Sequence, residues 1–245
     1  MTSAGEGAPT TSRFVGLLDK YFYFSMALLI PVLVIYGFSH TIGENLIHPS
    51  VPRPKLLYFH AVIFFGWLIF FITQSALVRT RNVPLHRTLG WFGVGLAVVI
   101  TLLGVSTAIT MTRFKIVQLH SKSAAMDMII PMWDMIAFTV TFWLAVYWRK
   151  RPEFHRRLML VATCTLTAAA FGRFPFPIAY DYFYGGVDSL ILLGVMRDLI
   201  VNRRVHPVYL YVLPVFVVGQ AAVIYTSDHN LQYWARISHA ILGLG

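Results

Sequence analysis

Residues 89–111 read LGWFGVGLAVVITLLGVSTAITM, a run of 23 residues without a charge. Wound as an α-helix at about 1.5 Å per residue, the run is about 35 Å long. That is enough to cross a hydrocarbon core of about 30 Å. Comparable runs lie at 21–38, 57–78, 126–148, 157–174, 183–200 and 207–225. The first and last each contain a mid-span proline, Pro31 and Pro214, which membrane helices tolerate when neighbouring groups satisfy the freed carbonyl. The reading is an all-α, polytopic transmembrane helical bundle of about seven spans, occupying residues 21–225.

Composition agrees with that reading. The chain is 57% hydrophobic and 12% charged, about half the charge that a soluble domain carries. A membrane β-barrel needs short alternating segments, and none is visible. The net charge of +10 does not point to nucleic acid, because the basic residues gather in the connectors between apolar runs. The single cysteine, Cys164, excludes an internal disulfide and a cysteine metal site.

Connector charge sets the orientation. One side holds Arg13, Lys20, Arg79, Arg81, Arg87, Arg149, Lys150, Arg151, Arg156, Arg157, Arg197, Arg203 and Arg204, and the other holds seven basic residues. The positive-inside rule puts the N-terminus in the cytoplasm of a multi-pass protein of the bacterial inner membrane. Residues 1–20 are polar, lack a signal-peptide core, and read as a flexible cytoplasmic tail. Residues 226–245 are too few and too polar to span and read as a C-terminal interfacial segment. Within the third span, Gly93, Ala97, Thr101, Gly104 and Ala108 form a small-residue stripe suited to close helix packing.

Two cytoplasmic connectors repeat one pattern: RNVPLHRTLG at 81–90 and KRPEFHRRLM at 150–159. Each is basic, carries a proline suited to a first helical turn, and places a His-Arg pair at the start of the next span. This two-copy connector, with Trp67 and Gln74 in the span before it, resembles a group of bacterial multi-spanning membrane proteins to which no activity attaches. The resemblance covers most of the chain after residue 50. His86 with Gly90 is also similar to the third-span histidine of cytochrome b561 proteins. In that family paired histidines on a four-helix core hold two haems, one near each face. The resemblance implies haem b as cofactor, with His86 and His155 for one haem and His60 and His120 for the other.

A second set of residues is ionisable and lies within the spans. Asp127 and Asp134 are seven residues apart and share a helix face, and Asp181 and Asp188 repeat that spacing. Arg173 is the expected partner of Asp134 or Asp181. A buried carboxylate costs about 2.5–3.5 kcal/mol even on a lenient insertion scale, so these groups should face the bundle. With the His60, Trp67 and Gln74 stripe they would line an outward, net-negative cavity for a cationic ligand or a proton relay. No nucleotide or nucleophile motif is present. Three readings stay open: a b-type electron carrier, a non-redox transporter or ligand sensor, and an accessory subunit. The expected partners are the lipid bilayer with an electron-transfer partner or another membrane subunit, and not nucleic acid.

Overall fold

A computed structural model describes residues 10–176 and 182–243. Its helices are α1 (Thr10–Ser39), α2 (Lys55–Arg79), α3 (Val83–Leu119), α4 (Ala124–Asp127), α5 (Ile129–Tyr147), α6 (Pro152–Thr165), α7 (Ala168–Phe171), α8 (Phe183–Asn202), α9 (Pro207–Asp228) and α10 (Gln232–Leu242). Five helical stretches are long and apolar enough to cross a membrane: Arg13–Ser39, Lys55–Arg79, Val83–Leu119, Ala124–Tyr147 and Pro207–Asp228. The chain is an integral membrane protein.

The two remaining expected spans fall short for different physical reasons. Residues 157–174 are divided between α6 and α7 by a turn at Leu166 and Thr167. Leu160, Val161, Ala162, Thr163 and Cys164 are all fully buried, so this rod is wrapped by protein and needs no lipid-facing surface. The hydroxyls of Thr163, Thr165 and Thr167 donate to carbonyls three or four residues back, which keeps a threonine-rich helix satisfied internally. α8 has the length, but it carries Asp188, Arg197 and Asp198.

Side-chain contacts define two ends. At one, Asp19 of α1 pairs with Arg197 of α8, and the Arg149 guanidinium after α5 lies 5.9 Å from the Trp91 ring of α3. Arg157 of α6 binds Asp198 of α8, and Phe154 meets His206, the residue ahead of α9, at 4.6 Å. At the other, Arg53 lies over Phe114 of α3, Tyr36 of α1 meets Phe174 beyond α7, and Ser227 of α9 bonds Asp127. The rods α1, α2, α3, α5, α6–α7, α8 and α9 therefore alternate in direction. The first end, with the repeated connectors, is the basic end.

Three boundaries differ from expectation. α1 begins at Thr10, well inside the segment read as a flexible tail, because Asp19 is tied to α8. α3 runs 37 residues, about 55 Å at helical rise, and so projects beyond any hydrocarbon layer. Its far end supports the C-terminal segment. α10 packs Trp234, Ser238 and Leu242 inward, Trp234 Nε1 donates to the Met126 carbonyl at 3.0 Å, and Arg113 Nε donates to the Leu242 carbonyl at 3.0 Å. The flanking stripe of Tyr233, Ile237 and Ile241 is exposed.

The small-residue stripe packs α3 against its neighbours. Gly93 meets Phe70 of α2 and Gly104 meets Met135 of α5, and the hydroxyls of Thr101 and Thr139 lie 3.0 Å apart. Gly37 of α1 sits against the backbone of Ala170, leaving no room for a Cβ, whereas Gly66 of α2 faces open space. Because backbone yields less than a side chain, Gly37→Ala should lose about 1–3 kcal/mol of unfolding free energy. Gly66→Ala should be neutral or gain up to about 1 kcal/mol from helix propensity. Unfolding in detergent measures both, and equal stabilities would show that α1 does not press on α7.

Candidate functional site

The repeated connectors build matching helix starts at the basic end. The Asn82 side chain accepts from the Leu85 N–H at 3.4 Å, and a proline lies in the first turn of both α3 and α6. Each connector thereby delivers its histidine about one turn into its helix. The His86 and His155 rings lie with centroids 6.3 Å apart and planes at 77°. His155 Nδ1 is 2.8 Å from the Ala145 carbonyl of α5. Since a carbonyl can only accept, Nδ1 carries the proton and Nε2 keeps its lone pair.

His86 is held from α2. The Gln74 amide, oriented to satisfy both its ends, donates to His86 Nδ1 at 2.5 Å and accepts from the Gly90 N–H at 3.3 Å. An amide serves either imidazole tautomer: its nitrogen donates to a bare Nδ1, and its oxygen accepts from a protonated one. Gln74 is buried. From sequence it falls on a stripe with His60 and Trp67, but it works at the opposite end from His60. Trp67 is fully buried, donates to Thr163 Oγ1 at 3.4 Å, and packs edge-on against Phe138, so it belongs to the core.

Next to this pair lies an ionic network that sequence reasoning missed. Arg157, fully buried two residues after His155, grips Asp198 with two bonds: Nε to Oδ2 at 2.8 Å and Nη2 to Oδ1 at 2.5 Å. Its Nη1 donates to the backbone carbonyl and the carboxylate of Glu153, each at 2.7 Å. Arg197 Nη1 and Asn202 Nδ2 also donate to Asp198 Oδ1, at 2.8 and 3.1 Å. Arg197 reaches on to Asp19. The network joins α1, α6 and α8 and fixes the backbone that carries His155.

At the other end the expected cluster separates into local pairs. Asp127 accepts from Ser123 and Ser227, both at 2.8 Å. Asp134 accepts from the Tyr184 hydroxyl at 3.0 Å, and Asp188 accepts from Gln220 at 3.1 Å. Arg173 meets neither Asp134 nor Asp188: it donates to the Ala169 carbonyl, with its guanidinium carbon 4.6 Å from the Phe38 ring centre. Asp181 lies outside the described residues. The space bounded by Trp133, Asp134, Thr165, Tyr184, Phe216 and Gln220 is too tight for a water molecule. Hydroxyl and amide donors thus satisfy carboxylates for which the sequence offered only a cation.

The outer histidines are not brought together. His60 stacks on Phe64 with centroids 3.9 Å apart, and its Nδ1 is buried without a partner. His120 is exposed and caps the C-terminus of α3 in the left-handed conformation, φ 52°. Among the described residues, no three His, Cys, Asp or Glu side chains gather where they could hold a metal ion. No protein-family model matches the chain, and neither a curated protein nor a solved structure matches it significantly.

The pairing of Asp134 has a consequence. Asparagine at 134 keeps a carbonyl oxygen for the Tyr184 hydroxyl, so Asp134→Asn should remain within about 1 kcal/mol of the parent in stability. Detergent thermal unfolding measures this, and a loss above about 2 kcal/mol would mean that the carboxylate's charge holds the fold.

Proposed function

We propose that this chain is a membrane electron carrier of the bacterial inner membrane, binding one b-type haem between His86 and His155 at its cytoplasmic end. The observation that carries the reading is the closeness of the two histidine rings at the ends of the repeated connectors. The rings meet edge to face with centroids 6.3 Å apart, and His86 and His155 would be the residues that hold an iron placed between them. Both rings are anchored through Nδ1, by the Ala145 carbonyl and the Gln74 amide. The bond to the Ala145 carbonyl orients the His155 ring and raises the basicity of its Nε2, and the Gln74 amide fixes the orientation of His86. Among the described residues no third His, Cys, Asp or Glu joins this pair to make a metal site, and two histidines alone suit an iron whose remaining ligands come from a porphyrin.

In this reading the protein's work is positional. Ala145 holds the His155 proton on Nδ1 and leaves Nε2 free. Because Gln74 donates to Nδ1 of His86, the neutral ring carries its proton on Nε2, and a metal held there would have to displace that proton. The network of Arg157, Asp198 and Arg197 keeps α6 from sliding against α8. A haem held there would supply one-electron transfer near the cytoplasmic surface, serving a redox partner on that side. The reading assigns no haem to His60 and His120.

The test is a reduced-minus-oxidised absorption spectrum of protein purified from haem-replete cells. A b-type α-band supports the reading. A flat spectrum from folded, monodisperse protein overturns it.

A further inference from the structure

On α1, Phe14, Leu17, Tyr21, Leu28, Val32 and Ile35 fall on one helical face, and all six are exposed. Its part beyond Tyr21 (Leu28, Val32 and Ile35) suits contact with lipid acyl chains. Tyr21 interrupts its apolar character near the basic end, and two cations flank its ring. The Arg79 guanidinium, at the end of α2, lies 4.4 Å from the ring centre, and Lys20 Nζ lies 5.3 Å from it.

Neither cation forms a salt bridge among the described residues. The neighbouring acid, Asp19, is occupied by Arg197. Arg79 Nε is buried and has no hydrogen-bond partner. An aromatic face attracts a cation by about 0.5–1 kcal/mol at an exposed site, and it accepts none of the guanidinium's in-plane N–H bonds. Two cations and a phenol hydroxyl thus converge at the basic end of the apolar stripe, while the guanidinium's buried Nε–H stays without a partner.

From this convergence we infer a binding site for an anionic phospholipid. Its phosphate is received by Lys20, Arg79 and the Tyr21 hydroxyl, and an acyl chain lies along Leu28, Val32 and Ile35. Basic residues between helices at the cytoplasmic face are the usual chemistry for such headgroups. The stripe leading away from Tyr21 selects a lipid over a free anion.

Native mass spectrometry of the full chain in mild detergent tests the site, with phosphatidylglycerol, phosphatidylcholine and inorganic phosphate as probes. Phosphatidylglycerol should be retained at least about tenfold better than phosphatidylcholine. Lys20→Gln, at an exposed position, should weaken retention about fivefold, and Lys20→Gln with Arg79→Gln about 30-fold. Arg79→Lys should recover most of the loss seen in Arg79→Gln. Removing two charges at the far end, with Lys122→Gln and Arg236→Gln, should leave retention unchanged. Equal retention of the two lipids, or unchanged retention in Lys20→Gln, would overturn the inference. Displacement of the lipid by inorganic phosphate would also overturn it, because the site would then serve a small free anion.

Discussion

Asp198→Ala should cost about 3–5 kcal/mol of stability, because it leaves Arg157 and Arg197 in a dry interior without the carboxylate both of them bind. Breaking one side of a buried ion pair is costly mainly because the other charge stays buried and uncompensated. Asp198 and Arg157 are fully buried and Arg197 is 1% exposed, so water cannot replace the lost oxygens. The substitution should also free the α8 end from α6, whereas Arg197 of α8 keeps its direct bond to Asp19 of α1. Arg157→Met combined with Asp198→Leu should recover a substantial part of the loss, because apolar replacement of both partners removes the uncompensated charge. Chemical unfolding in detergent measures each variant. An Asp198→Ala protein within about 1 kcal/mol of the parent would mean that the network contributes little to the fold.

His155→Ala and His86→Ala should each abolish the b-type α-band entirely, because one imidazole is not enough to hold a low-spin haem between these helices. His60→Ala and His120→Ala should leave the band intact, since those residues sit apart at the other end. Gln74→Leu should give an intermediate result. It removes the anchor of His86 and leaves the imidazole, a change that lowers affinity about 10–100-fold at metal sites in general. Titrating haem into the apoprotein measures all five variants. Equal losses in the His60 and His86 variants would remove the assignment, because the effect would then report folding.

The helices were legible in the sequence wherever apolar length decides the outcome. The expected spans 57–78, 126–148 and 207–225 agree with α2, α4–α5 and α9 within a few residues. Hydropathy places the third span at 89–111, but α3 continues from Val83 to Leu119. Hydropathy marks the thickness of the hydrocarbon layer, and helix propensity carries the chain past it. α6 broke the rule in the other direction. A rod buried on every side is released from the demand for an apolar surface, so its threonines and its Arg157 stay inside the bundle.

The pair of His86 and His155 was legible because the connector that delivers each histidine is written twice. The partner of Arg157 was not. Arg157 follows Arg156 in a basic run and reads as one more positive flank, and Asp198 lies 41 residues away. Only the packing of α6 on α8 shows that one arginine of the run points inward. The match of Asp134 with Arg173 failed for a related reason. Pairing charge with charge overlooks neutral donors, and the Tyr184 hydroxyl satisfies the carboxylate without a second charge.

Electron paramagnetic resonance of the ferric protein bears most directly on the central claim. The His86 and His155 ring planes stand at 77°, and if both rings held a haem iron at that angle they would give a strongly anisotropic low-spin signal. That signal is expected at one haem per chain and should be lost in His155→Ala. A folded protein from haem-replete cells without a low-spin haem signal, or a signal that survives His155→Ala, would contradict the claim.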